Sequence, residues 1–347
     1  MNKLRLTAIA VIFCVFPLAQ VSAQNKEFVI YTWEGMFPPK VLNDFERANP
    51  GVKVVYKTFE YNEDMLDELI SSDGTGYDLV IADDYILDFI VQLQLAQKLV
   101  KSSIRNLGNI DPMYQHQFYD PNDEYTIPYG AGIQTIVYDP SKVGKEITGY
   151  ADLWDSSLRG KVGIIGNYRV INGMALKTMR YSYNTNDLAQ IREAGNRLKT
   201  LAPNIGVIND SSLEQDLLAG GISAAVMYTD QVMRSKLQKP SLKVVFPQEG
   251  LGFGIMPAFI PAGSSNAALA YKFLDFILDP RRGAECFEYL GYYCTYSASY
   301  EYIKQELRNF LILPKEFINF EMIKNLSQTA EDEHYRIWTE FLTVVNR

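Results

Sequence analysis

Phe28-Val29-Ile30-Tyr31-Thr32-Trp33-Glu34-Gly35-Met36-Phe37-Pro38-Pro39 reads as a short strand, an aromatic corner and a proline-started helix. Phe28 to Tyr31 is an apolar run of strand character, and Pro38 or Pro39 suits a first helical turn, where no backbone donor is needed. Trp33 therefore falls at the carboxyl end of a strand, which is where ligands bind in open α/β sheets. Large aromatic residues are buried by default, so the plain alternative is a core indole. Glu34 and Gly35, directly after it, place the ring at a polar loop tip instead.

Outward from this corner, strands and helices alternate. Val52 to Tyr56 and Asp78 to Ile81 read as strands; Pro39 to Ala48, Glu63 to Ser71 and Tyr85 to Gln94 have the apolar spacing of helices. That order implies a mostly parallel sheet. Thr126 to Pro128 and Ile133 to Tyr138 are extended segments on either side of Tyr129-Gly130-Ala131-Gly132, whose glycines let the chain bend into a second domain. There the pattern resumes, with strands Val162 to Ile165, Ala224 to Met227 and Lys243 to Phe246 among helices near Val170 to Tyr181, Asp187 to Thr200 and Ser212 to Ala219. Phe253 to Pro261 is a second extended crossover. Helices Asn266 to Leu278, Arg281 to Leu290 and Ala330 to Val345 follow it.

A chain of 347 residues, 47% of them hydrophobic, is long enough for two domains with their own cores. Residues 1–23 read as a secretory signal: Lys3 and Arg5, an apolar run from Leu6 to Leu18, then Val21-Ser22-Ala23 as a small-residue cleavage site. Cys14 in that run is a lipid-attachment candidate under a relaxed motif. No later stretch reaches the ~20 apolar residues of a membrane span, so the mature protein is expected outside the cytoplasm, soluble or lipid-tethered. Losing Lys3 and Arg5 takes the formal charge from −8 to −10. That acidity argues against nucleic acid and suits either a solvated surface or a cationic ligand. Cys286 and Cys294 are the only cysteines beyond the leader. They can pair or remain buried thiols, and their spacing does not decide between the two.

The segments Tyr31-Thr32-Trp33, Phe59-Glu60-Tyr61-Asn62-Glu63, Tyr77-Asp78-Leu79-Val80, Asp120 through Tyr129, Ala151-Asp152-Leu153-Trp154 and Gly291-Tyr292 occur in that order. Together they resemble the spermidine/putrescine-binding family of ABC importers, over nearly the whole mature chain. The resemblance implies an α/β, two-lobed periplasmic binding protein fold with two interdomain crossovers and a ligand cleft between the lobes. It divides the chain into residues 24–132 plus 253–300 in one lobe and 133–252 plus 301–347 in the other. It implies import, not catalysis: a polyamine as ligand, membrane permease and ATPase subunits as partners, a periplasmic monomer, and no cofactor.

Carried over residue by residue, the resemblance assigns ligand contacts to Trp33, Tyr85, Tyr292 and Gln328. For Tyr85 the alternative is packing on its own helix, for Gln328 a cap or surface role, and one of Tyr292, Tyr293 and Tyr296 is expected to be structural. Several family positions are changed here. Asn167 and Val170 stand where the family has an aspartate and a glutamate, Met256 where it has an aspartate, Tyr228 and Gly254 where it has tryptophans, and Met36 where it has a tyrosine. An ammonium buried without a carboxylate costs several kcal/mol, of the order of a few, so other acids must replace the lost ones or the ligand differs. Glu34, Asp83, Asp84 and Asp230 are the candidates, with helix capping as the alternative for Asp83 and Asp84.

Three rival readings remain. An enzyme finds little support, since His116 and His334 are the only histidines and there is no nucleophile elbow, metal-ligand cluster or phosphate loop. Tyr292, Tyr293 and Tyr296 with nearby acids are a ferric-iron alternative. A sensory or adhesive binding protein is the third.

Overall fold

The computed structural model describes residues 26–313 and 320–345; the signal segment and Cys14 lie outside them. Strand β1 (Lys26–Thr32) pairs in parallel with β2 (Val52–Thr58) on one side and β3 (Leu79–Ile81) on the other. Between them run α1 (Pro39–Ala48) and α2 (Asn62–Ser71), with α3 (Asp84–Gln92) after β3. Side chains alternate across a strand, and here alternate residues enter different cores. Phe28, Ile30, Leu79 and Ile81 join a cluster with Phe45, Phe273 and Phe287, while Val29, Tyr31 and Val80 join one with Met65, Leu87 and Phe259. Both sheet faces are therefore covered, as a parallel sheet requires.

Strand β4 (Thr126–Tyr138) is one continuous thirteen-residue strand, not two segments flanking a bend. It changes sheets midway. Thr126 to Pro128 pair antiparallel with Phe259 to Pro257 of β9 (Leu251–Phe259), the register slips between Pro128 and Gly130, and Gly130 to Ile133 continue against Met256 to Phe253. Its last residues instead face β7 (Ala224–Tyr228) and β8 (Lys243–Val245). The crossovers are thus an antiparallel ribbon inside an otherwise parallel design, and β9 reaches β3 antiparallel as well.

The second sheet adds β5 (Val162–Ile164), parallel to β7, and β6 (Ile205–Ile208), parallel to β5. The main strand order is β2-β1-β3-β9-β4-β7-β5-β6. Helix α4 (Tyr168–Thr178) ends three residues earlier than its apolar pattern suggests, because Arg180 takes a left-handed conformation with φ 65°. Helices α5 (Leu188–Lys199), α6 (Leu213–Ala219) and α7 (Thr229–Gln238) complete this half and bury Ile191, Leu217 and Val232 in a common core with Ile171 of α4.

After β9 come α8 (Ala267–Ile277), α9 (Pro280–Leu290), the two-residue β10 (Tyr293–Cys294) on β4, and the short α10 (Arg308–Leu311). Ile303, Leu307 and Leu311 pack with Phe28 and Phe273, although the sequence division puts residues 301–347 with the other lobe. The chain then runs through β11 (Phe320–Met322), parallel to β9, into α11 (Gln328–Val345). Ile337, Trp338 and Phe341 of α11 lie in the core of the β5-β7 half, where Arg192 meets Glu333 at 2.9 Å.

Candidate ligand-binding site

Trp33, Asp83, Asn167, Asp210 and Tyr228 follow or end the parallel strands β1, β3, β5, β6 and β7. These are carboxyl ends, the expected ligand side of α/β sheets. Trp33 is half-buried, packs its ring on Phe59 at 4.9 Å between centroids, and accepts the Tyr56 hydroxyl at its carbonyl (2.6 Å). Glu34 beside it is exposed.

Asp83 and Asp84 part company although adjacent. Asp84 is buried and its Oδ2 accepts the Ile255 amide at 2.9 Å, tying α3 to the β9 crossover; burial pushes its carboxyl well above the usual range. Asp83 precedes α3 but caps none of its amides. Its Oδ2 accepts Asn62 Nδ2 (2.9 Å), and its own amide donates to Asn62 Oδ1 (3.2 Å). Asn62 also reaches the Tyr85 hydroxyl (3.1 Å), which donates to Glu63 Oε1 (3.0 Å). Burial pushes Asp83 up to about 6, the Asn62 bond opposes this, and the charge of Glu63 adds to it. Among the described residues no Lys or Arg forms an ion pair with Asp83.

On the opposite face Asn167 caps α4, its side chain accepting the Val170 amide at 3.1 Å, and it lies beside the Tyr228 hydroxyl. The half-buried Tyr228 has its hydroxyl held protonated by burial, then by the charges of Asp210, Asp83 and Asp230. Asp230 has a cation already: Arg234 Nη1 lies 2.5 Å away, and the same guanidinium meets Glu214 at 2.9 Å. Burial raises Asp230 more than Arg234 lowers it. Val170 and Met256, at two family carboxylate positions, are buried in the two large cores.

Tyr292 lies over the hinge ribbon: a Cβ at Gly132 would meet its ring at 2.8 Å, so only glycine fits beneath it. Burial first, and then Asp230, Tyr228 and Asp83, raise its hydroxyl pKa well above the usual value. Tyr293 and Tyr296 are buried in separate cores, so the three tyrosines do not converge on one point. Cys286 and Cys294 are buried free thiols. Gln328 is exposed at the start of α11 and donates to Asp332 of its own helix at 2.8 Å. From this last segment Asn325 reaches the first-lobe face, its Nδ2 donating to the Tyr85 carbonyl at 2.7 Å, and Lys324 Nζ lies 5.3 Å from the centre of the Phe118 ring.

Asp83, Tyr85, Asn167, Tyr228, Asp230 and Tyr292 therefore share one neighbourhood. Met256 and Gln328 have other contacts. Asn62, Asp210 and Asn325 were not among the residues singled out from sequence. Asn62 lies in the Phe59 to Glu63 segment that carries the family resemblance, a signal that was available.

The family model of bacterial extracellular solute-binding proteins matches residues 40–305. The spermidine/putrescine-binding periplasmic protein of Escherichia coli K12 is 31% identical over 286 residues, spanning 82% of each chain. A putrescine/cadaverine-binding protein of Pseudomonas aeruginosa is 25% identical over 93% of this chain and 95% of its own. The crystal structure of the spermidine/putrescine ABC transporter substrate-binding protein of Streptococcus pneumoniae superposes with a TM-score of 0.81 at 25% identity, covering 92% of this chain and 99% of that one. Two lobes, strand ends that meet at a cleft, and these matches lead to one conclusion: the chain belongs to the bacterial extracellular solute-binding protein family, a family of carriers and not of enzymes.

Proposed function

We propose that this protein captures a small linear amine between its lobes and delivers it to the permease and ATPase of an ABC importer. The observation that carries this reading is Asp83, a half-buried carboxylate with no cationic partner among the described residues, held by Asn62 and flanked by Tyr85, Tyr228 and Tyr292. An ammonium is the group that relieves such a carboxylate, through a charge-assisted hydrogen bond. The rings favour the same ligand, since each well-placed aromatic adds about 0.5 to 2 kcal/mol of cation–π attraction. The names of the relatives, which bind spermidine, putrescine or cadaverine, point the same way.

Residues 26–132 with 253–311 form one lobe in this reading, and 133–252 with 320–345 the other; most core residues follow that division, while Tyr114, Ala131, Phe253, Ile255 and Tyr293 pack in the second core and Met233 in the first. The protein works as a monomer outside the cytoplasm, exported by residues 1–23 and tethered there if Cys14 is lipidated. No helix among the described residues is long and apolar enough to cross a membrane. Calorimetry of refolded, ligand-free protein against putrescine, cadaverine, spermidine, agmatine and a basic amino acid tests the reading. Heat from the amines and none from the amino acid is expected; no heat from any amine overturns it.

A further inference from the structure

In the second lobe Asn167, Val170 and Tyr228 are neutral, which leaves that lobe short of an anion for the far end of a diamine. Asp230 does not make up the shortage, because Arg234 already neutralises it. Another acid of that lobe has no such partner. Asp210 follows β6, is exposed, and forms no ion pair with the Lys and Arg residues of the described chain. Its placement is fixed by the backbone: Oδ1 accepts the Gly166 amide at 2.8 Å, and its carbonyl accepts Gln231 Nε2 at 2.9 Å. A Cβ at Gly166 would lie 2.6 Å from Oδ2, so the carboxylate fits against that residue because it is glycine. Gly166 immediately precedes Asn167. The carboxylate thus sits beside Asn167, and its charge reaches both the Tyr228 hydroxyl and Tyr61 on the other lobe.

The geometry points to Asp210 as the second-lobe anchor, holding one ammonium of a diamine while Asp83 holds the other. This assignment rests on the amine-binding reading above. The ligand class it selects is a diamine, whose two charges span the cleft only when the lobes are closed. A monoamine of equal chain length needs one anchor and gains nothing from the second.

The test compares putrescine with butylamine by calorimetry on wild type, Asp210→Asn and Asp210→Glu. Asparagine keeps an acceptor for the Gly166 amide, and glutamate keeps the charge. Wild type is expected to favour putrescine by at least about 30-fold, at roughly tenfold for each 1.4 kcal/mol of added ion pairing. Asp210→Asn should reduce that preference to within about threefold, and Asp210→Glu should retain most of it. An unchanged preference in Asp210→Asn, with Asp83→Asn still abolishing amine binding, removes Asp210 as the anchor and leaves amine capture standing. If wild type binds neither compound, amine capture fails and the assignment fails with it.

Discussion

Asp83 and Asp230 occupy matching places on the two lobes. Each follows a parallel strand, β3 or β7, and each stands at the start of a helix, α3 or α7. Yet Asp230 meets Arg234 one turn along its own helix, whereas Asp83 meets only the neutral amide of Asn62. Strand-end position alone therefore does not leave an acid free for a cationic ligand. Availability depends on whether a cation comes with it, and Asp230 brings its own at i+4.

The sharpest way to break the comparison is to neutralise each acid. Asp83→Asn is expected to cost about 2 to 5 kcal/mol of putrescine affinity, because an ammonium is left in the cleft unpaired. Asp230→Asn should cost under about 1 kcal/mol of affinity, since Arg234 keeps Glu214. Stability should move the opposite way. Urea titration at pH 7 should find ligand-free Asp83→Asn more stable than wild type, and Asp230→Asn less so. Equal affinity losses for the two variants would mean that Arg234 leaves Asp230 open to ligand.

The aromatic corner of the first lobe comes next in size. Trp33→Ala removes a half-buried indole packed on Phe59, and should weaken binding by ~1 to 3 kcal/mol through lost apolar burial and cation–π attraction. An affinity change below the calorimetric error would reassign Trp33 to the packing of Phe59 alone.

Protonation sharpens the same contrast. Asp83 is pushed up to about 6 by burial, and a bound ammonium favours its charged form, so the pKa falls on binding. Affinity is therefore full above pH 6 and lost as pH falls below it, by about tenfold per unit. For folding of the ligand-free protein the sign is reversed. A carboxyl whose folded pKa is raised contributes most below its unfolded value of about 4, and that contribution is lost as pH rises through 6. Binding isotherms and unfolding curves from pH 4.5 to 7.5 should show both trends; affinity that does not vary over this range would show that Asp83 does not hold the ammonium.

Much of this fold was legible because parallel strands buried on both faces read as continuous apolar runs between amphipathic helices. Phe28 to Tyr31 and Asp78 to Ile81 illustrate it. Trp33, Asp83 and Tyr228 could be placed at strand ends for that reason. Asp210 could not. Its strand, Ile205-Gly206-Val207-Ile208, is four residues long with a glycine inside and follows directly on a 3-10 turn, so it carries no period to read. The role of Met256 was illegible for a different cause: on the hinge ribbon one residue of register decides between cleft and core, and the slip between Pro128 and Gly130 sets that register. Asn62 lies within a family-like segment, but its bonds to Asp83 and Tyr85 depend on β2 and β3 flanking β1 in the sheet.

The smallest expected effect concerns the last segment, where Asn325 and Gln328 offer a paired test of what holds the lobes together. Asn325 Nδ2 donates to the Tyr85 carbonyl, so it joins the segment before α11 to the start of α3 directly. Gln328 makes its bond to Asp332 within α11 and contributes nothing between the lobes. A single hydrogen bond of this kind is worth about 0.5 to 1.5 kcal/mol net. Removing it should shift the ligand-free population toward an open form, while a diamine bound to both lobes still draws them together, because only the closed state provides both sets of contacts. Asn325→Ala is thus expected to enlarge the radius of gyration without ligand, to lower putrescine affinity by roughly 2- to 10-fold, and to return to the wild-type radius at saturation. Gln328→Ala should match wild type in all three. If small-angle scattering finds the same radius for Asn325→Ala and wild type without ligand, the Asn325 bond does not set the lobe equilibrium, and the ribbon of β4 and β9 alone governs how far the cleft opens.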